Sequence, residues 1–351
     1  GLYVEGQSHD TLLYAGEASV RITDWFIFKD KPVIHYVGLS NTYAHLYRTR
    51  ESATWNYQFI VDAFSSGSTT KNKKPFEFDL KKVVLDNVRF HTDDHWVGED
   101  MGYDIGSLSI NANGLDFNKK LLDVKDIVGK NSEVSIYEYH GGRPDSLRHA
   151  NTNAIDTTPF NPGKWAVKVK TLSLDNFIFR LTENEKIPEP DLFDENHLII
   201  RNIQIKANTV NIVGDTIYGN LERLTAHERC GLVIKEMRSK ITVSPNASVC
   251  EDLYLETNHS KIRDYYAMHY KRFPDFVNYI DSVTMVGHLK DATVDKRDIA
   301  YFSKPLKDFP ECILQVSGNG KGTVSNLSGQ HLNVSDGNLV FKGDITMKGL
   351  P

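Results

Sequence analysis

The chain has 351 residues, with 41 Lys and Arg against 46 Asp and Glu and a formal net charge of -5. Its apolar share of 40 % and charged share of 25 % suit a folded chain rather than a disordered one. With no basic excess, a nucleic-acid binder and electrostatic attachment to an anionic membrane are disfavoured. Length alone gives a prior of about two domains.

In chain order, the apolar runs are short, such as WFIF, Trp25 to Phe28. It is far shorter than the roughly 20 residues a bilayer-spanning helix needs. Period-two alternation then dominates. It runs through Phe76, Phe78 and Leu80, through Leu108 and Ile110, through Leu115 and Phe117, and through Val134 and Ile136. It returns at Val167 and Val169, Leu172 and Leu174, Phe177 and Phe179, Ile203 and Ile205, and Val210 and Ile212. Alternation puts one set of side chains on one sheet face, and the polar partners between them predict half-buried, antiparallel-type strands.

Three stretches repeat: VIHYVGLSNTYAHL from Val33, DLKKVVLDNVRFHT from Asp79 and VKVKTLSLDNFIFR from Val167. Each reads as a strand, an Asn and a second strand. Asn41, Asn87 and Asn176 are expected in tight turns, because Asn bonds local backbone and tolerates left-handed geometry. Weaker copies start at Ile105, Leu122 and Ile200. Polar loops are expected at 65–75, 140–164 and 183–194. They mark sub-units 1–64, 76–182 and 195–351, either as insertions in one sheet or as true linkers. Helix signals are few. Ser260 to Ile280 has near-3.6 spacing, a Ser260 N-cap and a breaker at Pro274. A shorter helix is expected from Lys296 to Phe302. The chain opens on Gly1 and closes on a strand-like LVFKGDITMKGLP, so it is expected to be a piece of a longer protein.

Chemistry-bearing clusters are weak. HTDDHWVGED, His91 to Asp100, lacks the spacing of a zinc helix or a calcium loop and reads as an acidic loop. No Gly-x-Ser-x-Gly elbow occurs, and no carboxylate pair stands out for glycoside cleavage. Gly318, Gly320 and Gly322 suit a turn or bulge better than a phosphate loop. Tyr265, Tyr266, Met268, His269 and Tyr270 suit a packed face better than an aromatic binding box. Cys230, Cys250 and Cys312 have no metal spacing; they read as small buried thiols, with a Cys230–Cys250 bridge as the alternative. No cofactor and no enzymatic activity are expected. The apolar sheet face needs a cover. Either a second sheet closes over it, or the sheet curls into a groove able to hold acyl chains.

The residues also carry a resemblance. DTLLYAGEASVRITDW, Asp10 to Trp25, looks like the opening strand pair of the AsmA/TamB-like family of bacterial envelope proteins. The Leu-x-Leu-x-Asn repeats are similar to that family's repeats. GLVIKEMRSKITVSPNASVCEDLYLETNHSKI resembles its strand run ending in a Thr, a Ser and a short amphipathic helix, here Thr257, Ser260 and Ile262. Asp298, Ile299, Ala300, Phe302, Pro305 and Leu306 resemble its Asp-aliphatic-Ala-x-Phe helix and Pro-Leu, and the meander after Val316 follows in the same order. Large loops and abundant Tyr and Phe point to the Bacteroidetes-type branch.

That resemblance implies a mainly β fold, an elongated and curled repetitive sheet with one or two short helices. It implies a parent protein anchored in the inner membrane, a periplasmic trough for phospholipid, and a downstream meeting with an outer-membrane barrel of the BamA/TamA type. Anchor and barrel-contacting region would both lie outside this chain. The expected function is lipid transport between membranes, outer-membrane biogenesis and protein secretion. The candidate lining is Phe78, Leu80, Leu108, Ile110, Leu115, Phe117, Val167, Val169, Leu172, Leu174, Phe177, Phe179, Ile203, Ile205, Val210 and Ile212. The alternatives are a closed structural or adhesive scaffold and, behind it, a carbohydrate-active β-helix enzyme.

Overall fold

A computed structural model describes residues 1–22, 33–66, 77–116, 119–148, 160–272, 275 and 278–349. The fold is mainly β, as expected. Sixteen strands form one sheet, and their order across it is their order in the chain. They are β1 (Leu2–Glu5), β2 (Thr11–Ile22), β3 (Val33–Arg48), β4 (Glu77–Asp94), β5 (Glu99–Asp116), β6 (Leu121–Glu138), β7 (Ala166–Glu183) and β8 (His197–Val213). Then follow β9 (Thr216–Glu228), β10 (Val233–Ser244), β11 (Ala247–Glu256), β12 (Lys261–His269), β13 (Thr284–Asp295), β14 (Ile313–Thr323), β15 (Asn326–Ser335) and β16 (Val340–Lys348). The sheet is open, with β1 and β16 as its edges. Its short helices are α1 (Gln58–Ser66), α2 (Asp145–Arg148), α3 (Tyr279–Ser282) and α4 (Lys296–Ile299).

Contacts divide the chain into two compact units. The first holds residues 1–155, 174–188 and 195–200. Within it β1 to β3 pair antiparallel, as do β4 to β6. β3 and β4 run parallel; parallel neighbours need a crossover, and the chain between them includes α1. The second unit holds residues 156–173, 189–194 and 201–351, and β9 to β16 form an antiparallel meander in it.

Two expectations are corrected. Asn41, Asn87 and Asn176 do not sit in turns between strands. They lie inside β3, β4 and β7, at φ +49, +51 and +56. The left-handed geometry that Asn tolerates is used as an irregularity within one long strand. It can stay there because the neighbour has the same irregularity at the same height. β3 and β4 keep one offset across it, from Leu39 opposite Leu85 to Thr42 opposite Val88.

The stretch from Ser260 is not a helix either. It forms β12, paired with β11 on one side and β13 on the other. Tyr266 and Met268 alternate on one face, and Asp264 takes φ +99. That single left-handed residue shifts the alternation, so the spacing from Ile262 imitates a helical period. Aromatic residues also fit a pleated surface, and two flanking ladders override local propensity. Ser260 caps no helix there; its Oγ accepts from the Asp295 amide at 3.0 Å. The second predicted helix exists as α4, shorter than expected, with Asp295 as a cap accepting from the Arg297 amide.

Candidate functional site

The site is one face of the sheet. In β4, Val83 and Leu85 share a face, Asn87 intervenes, and Val88 and Phe90 resume it. The left-handed Asn87 and the burial pattern carry the phase: Val88 is buried between exposed Asn87 and Arg89, and the strand partners follow the same register on both sides. Val83 faces Ile110, Leu85 faces Leu108, Val88 faces Ile105 and Phe90 faces Tyr103. On the other flank of β4 the partners are Val37, Leu39, Thr42 and Ala44. A strict period of two would turn Val88 and Phe90 to the opposite face. The left-handed residue absorbs one position and keeps both halves of the strand on the same side. Apolar-x-apolar-x-Asn-apolar-x-apolar is therefore a continuous one-sided strand.

The same device recurs across the first unit. Asn131 in β6 has φ +52. The Asn87 side-chain Nδ2 donates to Asn41 Oδ1 at 2.7 Å, and Asn176 Nδ2 donates to Asn131 Oδ1 at 2.8 Å. Between them β5 carries Gly106. A Cβ there would lie 2.4 Å from the Asn131 carbonyl oxygen, so only glycine fits.

In the second unit Asp252 of β11, Asp291 of β13 and His331 of β15 take φ +51, +50 and +51. Each follows the same grammar: Cys250-x-Asp252-Leu253, Leu289-x-Asp291-Ala292 and Gly329-x-His331-Leu332. Gly318 of β14 lies at φ +134, at a register shift between Ser317 and Asn319. This supports the bulge expected of that glycine.

The apolar face is thinly covered. Among the described residues the largest fully buried side chains are Val124, Val283 and Asp295; no Leu, Ile, Phe or Trp reaches that state. Contacts between described elements run along the strand order, with α3 added on β14 and α4 on β13. A second sheet stacked on the first would bury many Leu, Ile and Phe side chains; among the described residues only Leu12, Leu221 and Leu253 of these types are buried.

The candidate lining separates into groups. Leu108 and Ile110 lie opposite Gly129 and Ile127, and Leu115 opposite Leu122, all on one face of the first unit. Leu174 and Phe177 fill the space above Gly129. Leu80, Phe179 and these residues are half-buried, as are Val167, Leu172, Ile203, Ile205, Val210 and Ile212 in their strands. Val169 is buried, at 8 % exposure. The side chain of Phe78, and Phe117, lie outside the described residues.

Alternation alone missed Val83, Leu85, Val88, Phe90, Ile105 and Ile127. In the second unit it missed Met237 facing Leu255, Tyr266 facing Gly287, and Val316 facing Val334. The findable signal was the phase slip at each Asn, Asp or His.

The polar constellations tie strand ends together. Asp94 accepts from Arg48 Nε and Nη2, both at 2.6 Å, and from the Val97 amide at 2.9 Å. Burial opposes its ionisation, but the Arg48 bonds and charge together with the Val97 and Trp96 amides outweigh that and hold the carboxyl below its ordinary range. His95 Nδ1 lies 2.6 Å from the Tyr139 hydroxyl, which donates to Asp100 at 2.7 Å. Burial pushes Asp100, Glu99 and Tyr139 above their usual values. His91 pairs with Asp104 and His45 with Asp93. The described residues hold no group of three or more His, Cys, Asp or Glu able to take a metal ion.

In the second unit the turn before β12 is locked by Asp298. It accepts from Thr257 Oγ1 at 2.5 Å and from the His259 amide at 3.1 Å. Thr257, Ser260 and Asp298 thus form a turn-to-α4 clasp. Cys230 and Cys250 are free thiols, not a bridge. Burial, then Glu228, pushes the Cys230 thiol up to about 11, so it is no ready nucleophile. A polar hollow of about 360 Å³ sits beside Arg48, Trp55, Asn56 and Asp62. Its guanidinium is committed to Asp94 and stacks 4.9 Å over Trp55.

No family model, curated protein or solved structure matches the chain.

Proposed function

We propose that the chain is a lipid-carrying segment of a bacterial envelope protein of the AsmA/TamB-like kind. The observation that carries this reading is the apolar sheet face, repeated in both units and left uncovered by any second layer among the described residues. Such a face is costly in water unless something apolar lies on it. Each buried CH₂ is worth about 0.8 kcal/mol, so an acyl tail of about 16 carbons gains on the order of 10 kcal/mol. A row of half-buried Val, Leu, Ile and Phe offers many near-equivalent seats. No single seat is tight, which suits a path better than a store.

The ligand on this reading is phospholipid, and the place is the periplasm, between an inner-membrane anchor and an outer-membrane barrel of the BamA/TamA type. The strand order supports a path, since each added strand extends it by about 4.8 Å. The sequence motifs supply the family part of the proposal; the uncovered face supplies the lipid part. No bond is made or broken in carrying lipid, so the residues act by burial alone.

The test is mass spectrometry of protein purified without detergent from a lipid-containing host. Phospholipid co-purifying in at least stoichiometric amount is the expected result. Lipid-free protein that also takes none from phospholipid vesicles overturns the proposal.

A further inference from the structure

The left-handed residues line up from strand to strand, and the hydrogen-bond ladder breaks along that line. Between β5 and β6 the pairs step from Asp104–Glu133 to Ser107–Lys130, skipping Ile105, Gly106, Asn131 and Ser132. In the second unit every pairing from β11–β12 to β15–β16 has a register shift at this height. The shifts fall at Cys250/Leu253, Lys261/Asp264, Leu289/Ala292, Ser317/Asn319 and Gly329/Leu332.

Side chains replace the missing backbone bonds. The Gly106 amide donates to Ser132 Oγ at 3.3 Å, the Asp291 amide to Ser317 Oγ at 3.2 Å, and the His331 amide to Asp344 at 2.7 Å. An irregular residue bends its strand. Aligned irregularities bend neighbouring strands along a common line. On either side of that line the ladders resume, interrupted again in the first unit only away from the seam, as at Asn111 to Gly114 between β5 and β6. The line itself is held by side-chain bonds and by Asn, Asp, His and Gly in left-handed backbone.

We propose that this seam is a hinge within each unit, along which the two halves of the sheet open and close on an acyl chain. The idea rests on the lipid reading for its ligand and on the seam geometry for its mechanism. Rigid walls and a compliant crease let one groove accept tails of different thickness without unpairing a strand. The lining residues would then contribute burial, and the seam would set the width.

Electron–electron distance measurement tests it. Spin labels go on Lys125→Cys and Glu138→Cys, on β6 to either side of Asn131, after Cys230, Cys250 and Cys312 are changed to Ser. A straight strand would place these positions about 43 Å apart. The expected distance without lipid is shorter and broadly distributed, and phospholipid narrows and shifts it by several Å. Asn131→Gly should keep the short distance, because glycine accepts the left-handed backbone. Asn131→Val should move it toward the straight value. A single narrow distance, unchanged by lipid that demonstrably binds, overturns the hinge and leaves the lipid reading standing. A broad, Asn131-dependent distance in a protein that binds no lipid upholds the hinge and overturns the lipid reading. A wild-type distance at the straight-strand value overturns the crease itself. Circular dichroism of both Asn131 variants separates these outcomes from unfolding.

Discussion

Asn87 occupies a backbone region that costs an ordinary L-residue about 1–2 kcal/mol, and its amide spans to Asn41. Asn87→Gly should leave stability within about 0.5 kcal/mol, because glycine's conformational ease offsets the lost hydrogen bond. Asn87→Val should cost about 2 kcal/mol or more, combining backbone strain with that loss. Chemical denaturation at constant m-value measures both. Equal losses for the two would show that the backbone conformation is not the reason for Asn. These asparagines were legible in the sequence as left-handed residues. Their setting was not, because a left-handed Asn ends a strand in a hairpin and continues one in a seam. Only the neighbour's matching irregularity separates the two cases, and a neighbour is not local in sequence. Asp252, Asp291 and His331 were harder still, since their residue types vary while their backbone does not.

At the scale of the element, alternation located most of the strands it was read from. Leu108 and Ile110, Leu172 and Leu174, and Phe177 and Phe179 were readable because each pair falls within one half of a strand. Val88 and Phe90 were lost because they follow the slip. β12 was misread for a related reason: Asp264 breaks the period of two, and the remainder imitates a helical spacing. Exposure now separates lining from packing. Val169 is buried, so Val169→Glu should unfold its surroundings. Ile205 is half-buried with exposed Gln204 and Lys206 beside it. Ile205→Glu should therefore retain the far-ultraviolet circular dichroism of the parent and lower bound phospholipid at least threefold. A variant that unfolds, or one that keeps its full lipid load, removes Ile205 from the lining.

At the scale of the molecule, the mainly β class was legible from composition and period, although the long helix expected from Ser260 is β12 instead. That the strands follow one another in simple order through one open sheet was suggested by the repeats. The parallel step from β3 to β4 was not readable, because the residues between them carry only polar loop signals and α1. Whether the apolar face is covered could not be read at all. Identical alternation serves a closed sandwich and an open groove, and only exposure distinguishes them. Few Leu and no Ile or Phe are buried among the described residues, which suits the open face.

Photocrosslinking tests the lipid path most directly, since it asks which face touches lipid. A photoreactive amino acid replaces Ile205 on the apolar face or Lys206 on the polar face of the same strand, in cells that supply native phospholipid. Labelled phospholipid at position 205 and none at position 206 is the predicted result. Equal labelling at both, or none at position 205 in well-folded protein, would contradict a lipid path on the apolar face.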